Sequence, residues 1–388
     1  MKIGVEMIKL PGMLMVGAVG RGIGKTGFVC SLIRRFSSQC NIIGIKVTAV
    51  EKADGTCPRG GSGCGVCSSL QGHYYITEEL DKHTDKDTCR MLVAGAGQVF
   101  WLRVLKKYLE EGINALLDII GNDAVLICES NSLRRVVEPG LFIMIKSCGA
   151  KDSKVSAKDI IQYADRIVCF DGNEFDIDID EIGLIEGKWT CKMQATAIIM
   201  AGGDSTRMGQ DKAMLSVSER GNPQPMIKHI ADQLRPYFNQ ILVSSNDTSK
   251  YGFLGLEVVP DKVKGHGPLG GIASALNTSA SELNFVVACD IPQVDTVLMK
   301  TMLRQAGDFD AVVPKIGWSN YEPLFAVYKK DVLATVEAAL LSGNNRIIDA
   351  LAGCKVKYMN IADAGQLKNI NTMDDYREFI GKESDVVV

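Results

Sequence analysis

The sequence predicts an α/β protein made of two doubly wound domains. Three observations carry that expectation. Short β-branched apolar runs alternate with helical stretches along the chain, which is the pattern of mostly parallel sheets covered on both faces. Two different glycine-rich turns, at 20–26 and 201–212, each follow a strand and lead into a helix-like run. The 388 residues are more than one hydrophobic core usually organises.

In the first half the strands are MLMVGAV (13–19), IIGIKVT (42–48), AVLICES (124–130), LFIMIKS (141–147) and RIVCFDG (166–172). In the second they are ATAIIMAG (195–202), QILVSSN (240–246), LNFVVACD (283–290), DAVVPKI (310–316) and PLFAVY (323–328). TGFVCSLIRRFSSQ, AGQVFWLRVLKKYLEE and TVLMKTMLRQAG read as helices between them. The stretch 173–194 begins acidic and loses periodicity before a fresh strand starts. The expected domains are therefore 1–192 and 193–388, the first carrying a cysteine-bearing insert at about 54–75.

Composition narrows the function classes. Apolar residues make up 46% and charged residues 23% of the chain, and the formal charge is −3. No global basic field points to nucleic acid, and no apolar run is long enough to span a bilayer. The N-terminus MKIGVEMIKLPGMLMVGAVG leads straight into the first glycine turn and lacks a small-residue cleavage site, so it reads as a strand rather than a signal peptide. Twelve cysteines without an export signal indicate a reducing cytoplasm. Cys30, Cys128, Cys169 and Cys289 sit in apolar runs as small core residues.

Gly-Arg-Gly-Ile-Gly-Lys-Thr at 20–26 has the strand–turn–helix setting of a P-loop. Backbone N–H groups at Gly24 would cradle phosphates, Lys25 would reach the outer ones and Thr26 would hold Mg2+. The full pattern wants glycine where Val19 stands, so a glycine turn with a chance Lys-Thr is the other reading. Glu129 ends an apolar strand, as a Mg2+-linked acid or as an ordinary structural acid. Cys57, Cys64 and Cys67 form a knuckle suited to Zn2+ or an Fe–S cluster. Its fourth ligand would be His73 or a cysteine of a second subunit. The other reading is a loop of redox-sensitive thiols.

GIGKT, the Lys86-Asp87-Thr88-x-Arg90 run and the Ala94-Gly95-Ala96 turn, with ICESNS and PGLFIMI, resemble the GTP-binding adaptor protein of molybdenum-cofactor guanine dinucleotide synthesis. The resemblance spans most of 13–172. It implies a P-loop NTPase-like fold, GTP binding and a homodimer through this half. The adaptor's His-rich stretch after the second strand is absent, and IKVTAVEKADGTCPRGGSGCGVC stands there instead.

The second turn, AGGDSTRMGQDKAML, does a different job. Gly202 and Gly203 turn beneath a triphosphate, and Arg207 and Lys212 bring two cations to it. Such cations stabilise charge building on a departing pyrophosphate when the α-phosphorus is attacked. Asn246 ends a strand where it would meet a base or ribose edge, or cap a turn. Asp261 precedes a second glycine turn. Asp290 ends another strand, and a lone carboxylate there suits Mg2+.

The ordered set Ala201-Gly202-Gly203-x-Ser205-x-Arg207-Met208-Gly209-x-Asp211-Lys212, Asn246, Asp261, Gly267-Pro268-Leu269-Gly270-Gly271, Cys289-Asp290-x-Pro292, Glu322-Pro323-Leu324 and Asn369-Ile370-Asn371-Thr372 resembles the molybdenum cofactor guanylyltransferase family. It covers essentially all of 194–388. The resemblance implies a Rossmann-like nucleotidyltransferase domain, with Ala201, Gly202, Gly203 and Lys212 at the GTP phosphates, Asn246 and Asp261 at the nucleoside, and Asp290 on Mg2+. Asn369 and Asn371 also read as braces for the C-terminal segment. ERGNPQPMIKHI departs from the family by a longer Gly/Pro turn.

The two glycine turns thus read as two proteins of one pathway joined in one chain. The expected reaction is GMP transfer from GTP to molybdopterin or its molybdenum form, releasing pyrophosphate, with Arg207, Lys212 and Asp290 catalytic. A molybdoenzyme or its chaperone is the implied partner. The alternatives are cytidylyl or other nucleotidyl transfer to a phosphorylated acceptor, a cofactor binding and delivery module, and a metal or redox sensor built on the cysteine knuckle.

Overall fold

A computed structural model describes residues 7–20, 22–50, 70, 72–148, 155–202, 211–219, 222–317, 320–361 and 364–384. The chain divides into two compact units, Met1–Cys191 and Lys192–Val388.

The first unit runs β1 (Ile8–Ala18), α1 (Lys25–Phe36), β2 (Ile42–Val50), β3 (Tyr74–Glu78), α2 (Asp87–Val93), β4 (Gln98–Leu105), α3 (Leu109–Ile120), β5 (Val125–Glu129), β6 (Val137–Ser147), α4 (Val155–Ile161), β7 (Arg166–Phe170), β8 (Ile182–Ile185) and β9 (Lys188–Cys191). Its sheet has the order β3-β4-β2-β5-β1-β6-β7. All pairs are parallel except β3 with β4. β1 lies between β5 and β6, and its side chains alternate between two cores. Met13 and Met15 enter one, Leu14 and Val16 the other, all fully buried. That period-two division is what a strand covered on both faces requires.

Three expectations are corrected here. AGQVFWLRVLKKYLEE is not one helix: its first part is β4, and the helix begins at Leu109. A strand buried on both faces has no clean polar alternation, and the helix-forming KKYLEE tail masks the aromatic and β-branched VFWLRV. The aperiodic 173–194 stretch contains the β8–β9 hairpin. Trp189 in that hairpin is fully buried, donates through Nε1 to the Gly12 carbonyl at 2.9 Å and meets Phe36 edge-to-face. The insert also ends earlier than 75, because Tyr74 and Tyr75 belong to β3. Residues 51–69 and 71 lie outside the described residues.

The second unit runs β10 (Met193–Met200), β11 (Ser216–Glu219), β12 (Asn222–Pro225), α5 (Met226–Leu234), β13 (Phe238–Ser244), β14 (Glu257–Val259), α6 (Gly267–Thr278), β15 (Leu283–Ala288), α7 (Thr296–Gln305), β16 (Ala311–Ile316), β17 (Asn320–Tyr321), β18 (Phe325–Lys329), α8 (Leu333–Leu341), α9 (Ile347–Ala350), β19 (Val356–Ile361) and α10 (Met373–Ser384). Its sheet order is β14-β13-β10-β15-β18-β16-β17, with β19 on β16. β10 is parallel to both neighbours, whereas β18 runs antiparallel to β15 and β16. The sheet is therefore mixed at one side, not parallel throughout. The Gly/Pro segment after the loop is the β11–β12 hairpin.

Gly271 lets α6 lie close against the sheet. A Cβ there would fall 2.5 Å from Ser244 Oγ and 2.8 Å from Met200 Cε. Gly271→Ala should destabilise the protein by about 1–3 kcal/mol through overpacking. A lowered midpoint in a calorimetric scan of the full chain checks it, and an unchanged midpoint refutes it.

Candidate active site

Parallel pairing brings the C-terminal ends of β13, β10 and β15 to one sheet edge, where ligands of open α/β sheets bind. The Ala201 amide donates to the Ser244 carbonyl at 3.0 Å, and the Cys289 amide donates to the Met200 carbonyl at 3.0 Å. These bonds hold the exits of β13 and β15 on either side of the turn that starts at Ala201 and Gly202. Gly203 and Arg207 lie outside the described residues.

The turn's far end is Asp211, whose Oδ1 accepts from the Ala213 amide at 3.0 Å and so caps the short helical turn carrying Lys212. Asp211 also pairs with Lys250. The buried Tyr251 hydroxyl lies 3.3 Å from the Ala201 carbonyl and 3.4 Å from Asp211 Oδ2, placing one proton between both ends of the turn.

Lys212 Nζ stands 3.7 Å from Asp290 Oδ2 and donates to Asn371 Oδ1 at 3.1 Å. The Ile370 amide donates to the Asp290 carbonyl at 2.7 Å, and Asn369 Nδ2 donates to Glu322 Oε2 at 3.2 Å. Thr372 caps α10, its Oγ1 accepting from the Asp375 amide at 3.1 Å, while Asp375 Oδ2 accepts in return from the Asn371 and Thr372 amides. The C-terminal segment therefore supplies side chains to the strand-end site as well as bracing itself.

Burial dominates the charge states. It raises the Asp290 carboxyl above its ordinary value even though Lys212 pulls it down. Glu322 is raised by burial and further by the Asp290 charge, against the Asn369 hydrogen bond. The Cys289 thiol is pushed up to about 12, first by burial and then by Asp290, and stays a neutral packing group. Asn246 and Asp261 meet each other: Asn246 Nδ2 donates to Asp261 Oδ2 at 2.9 Å, and the Asp261 amide donates to Asn246 Oδ1 at 3.0 Å.

In the first unit, Gly24 occupies the left-handed region at φ 71° before α1. A Cβ there would crowd Phe175 at 3.0 Å and Phe170 at 3.2 Å. Thr26 Oγ1 lies 2.8 Å from Glu129 Oε2 and 3.0 Å from Asp87 Oδ1, and Lys25 Nζ lies 3.4 Å from Glu129 Oε1. Lys46 joins this cluster, meeting Asp87 and standing 3.1 Å from Glu129 Oε1. His73 stacks on Tyr108 and holds Glu111 at 3.1 Å through Nδ1. Its proposed companions Cys57, Cys64 and Cys67 lie outside the described residues.

Two site residues escaped the sequence reading. Lys46 carried a usable signal, since a lysine inside an apolar strand run needs a partner. Tyr251 carried none, because its role comes from bridging two segments brought together only by folding.

A glycine turn at the end of a central parallel strand, a lysine after it and an acid at the neighbouring strand end define the second unit as an α/β nucleotidyltransferase. Residues 197–355 match the model of the MobA-like NTP transferase domain. A probable molybdenum cofactor guanylyltransferase from Pelotomaculum thermopropionicum is 36% identical over 190 residues, covering 47% of this chain and 90% of the relative. One from Carboxydothermus hydrogenoformans is 34% identical over 192 residues, covering 48% and 94%. The molybdenum cofactor guanylyltransferase of Vibrio parahaemolyticus is 30% identical over 198 residues, covering 49% and 97%. Among solved structures, molybdopterin-guanine dinucleotide biosynthesis protein A from Archaeoglobus fulgidus is 25% identical, with a TM-score of 0.43, covering 49% of this chain and 99% of that one. The chain belongs to the molybdenum cofactor guanylyltransferase family.

Asp290, raised in the folded state, contributes most to stability when protonated, below the ordinary carboxyl value of 3.8, and this contribution is lost as pH rises through the raised value. Asp290→Asn stays neutral at every pH. Without divalent cations it should melt higher than the parent at pH 7, with the gap closing in acid. Thermal melts across pH check this, and a lower melting point at pH 7 would contradict it.

Proposed function

We propose that the second unit transfers the guanylyl group of GTP to the terminal phosphate of molybdopterin or its molybdenum form. A phosphate oxygen of the acceptor attacks the α-phosphorus in line. The new P–O bond forms as the α–β bridging bond breaks, and pyrophosphate leaves with the electron pair. The acceptor phosphate is the nucleophile, so no side chain need form a covalent intermediate. Lys212 stabilises the charge gathering on the leaving group, joined by Arg207 from the same loop. Asn371 orients the Lys212 ammonium. Ala201, Gly202 and Gly203 admit the triphosphate close to the backbone, and the Asn246–Asp261 pair offers its polar edge to the nucleoside.

Asp290 fits Mg2+: it is an oxygen donor at the strand end whose ionised form is undercompensated in the protein alone, with Glu322 close enough to feel its charge. Mg2+ held there would neutralise phosphate charge and favour departure of pyrophosphate. The observation that carries the reading is Lys212 set between Asp290 and Asn371 beside the turn that opens at Ala201.

We also propose that the first unit, about 1–192, is a P-loop domain that binds a nucleoside triphosphate as an adaptor. Support comes from Lys25 and Thr26 facing Glu129 across adjacent parallel strands. Thr26 and Glu129 are oxygen donors placed to hold Mg2+, directly or through water. A molybdoenzyme or its chaperone would be the partner, in the cytoplasm. Among the described residues no helix is long and apolar enough to cross a membrane.

Purified protein with Mg2+, molybdopterin and each nucleoside triphosphate in turn should yield pyrophosphate and a dinucleotide product with GTP. Product with CTP in its place would overturn the guanylyl assignment and keep the mechanism. Lys212→Ala should lower the GTP-dependent rate by about 100–1,000-fold, and full activity would remove Lys212 from the mechanism.

A further inference from the structure

Lys46 lies within β2, yet its ammonium is spent on two acids from other elements. It meets Asp87, which opens α2, and stands 3.1 Å from Oε1 of Glu129, which ends β5. Glu129 is only 4% exposed. Thr26 Oγ1 approaches both acids, at 2.8 Å from Glu129 and 3.0 Å from Asp87. Two carboxylates and a hydroxyl from α1, α2 and β5 thus converge, a set of hard oxygen donors that suits Mg2+.

The negative charge at this point is already answered. Asp87 and Glu129 carry two negative charges, while Lys46 and Lys25 carry two positive ones, Lys25 standing 3.4 Å from Glu129. Arg90 adds a further positive charge felt by Asp87. Burial works to raise the Asp87 carboxyl, but Lys46, the Thr26 hydroxyl and Arg90 hold it below its ordinary value. A bare divalent cation entering here would leave excess positive charge in a partly buried site, where repulsion is strong. A triphosphate changes the balance, because it adds several negative charges and draws Lys25 toward its outer phosphates.

We propose that Lys46 is the built-in counter-ion of this site, closing the Asp87–Glu129 pair to free divalent cation so that metal enters only with a phosphate-bearing ligand. The inference rests on the reading of 20–26 as a P-loop. It makes Lys46 the residue that sets the site's preference for metal–nucleotide over metal alone.

The test uses Mn2+ as the probe, read by electron paramagnetic resonance on the full chain. All proteins carry Asp290→Asn, so that the second unit's metal site is silent. Without nucleotide the parent should bind Mn2+ at least tenfold more weakly than with a non-hydrolysable GTP analogue. Lys46→Gln should bind Mn2+ at least tenfold more tightly than the parent without nucleotide, and Lys46→Arg should exclude it as the parent does. Equal nucleotide-free Mn2+ affinity in Lys46→Gln and parent overturns the proposal. Should Lys46→Gln fail to fold, equal Mn2+ affinity of the parent with and without the analogue overturns it instead. Analogue stoichiometry separates the two readings. An analogue stoichiometry left unchanged by Lys25→Ala refutes the P-loop reading and the phosphate coupling, while the nucleotide-free comparison still decides the exclusion of bare metal.

Discussion

An ammonium held against a carboxylate one parallel strand away is the contact around which the candidate sites of both units are built. In the first unit the turn after β1 presents Lys25, and the adjacent β5 ends in Glu129. In the second the turn after β10 leads to Lys212, and the adjacent β15 leads to Asp290. The reason is geometric. Parallel neighbours deliver their ends to the same edge about 5 Å apart, close enough for a lysine to reach an acid it shares no sequence neighbourhood with.

Acids beside lysines meet opposite electrostatic results in the two units. At Asp290 burial outweighs Lys212, so the acid rises and its charge is left for a cation to compensate. At Asp87 the surrounding cations outweigh burial, so the acid is lowered and its charge already answered. The charge of Asp290 is thus left short of compensation, whereas that of Asp87 is already met. Buried polar groups of this kind cost stability unless their partners are supplied, and here they stand at the functional edge rather than in the apolar layers.

Close packing holds these edges in place. Gly271 lets α6 approach β10 and β13, bringing Ser244 and Met200 against the helix. Tyr251 reaches both ends of the second turn from beyond β13, and Asp211 passes that anchorage to Lys212 through the cap on its helical turn. The C-terminal segment closes the arrangement, because Ile370 bonds the Asp290 backbone while Asn371 bonds Lys212.

The sequence by itself determined the alternation of strand and helix, the break near 192 and the ordered motifs of the guanylyltransferase half. Each is a local pattern: apolar period, a turn residue, a spacing along one stretch of chain. Tertiary structure alone decided that QVFWLRVL is a strand, since β2 and β3 pair with its edges while α2 and α3 cover its two faces. It decided that Asn246 meets Asp261, that Tyr251 spans the second turn and that Lys46 answers Asp87 and Glu129. Those partners lie many residues apart, and their energies depend on burial and on which strand ends share an edge. Such quantities exist only once the chain has folded.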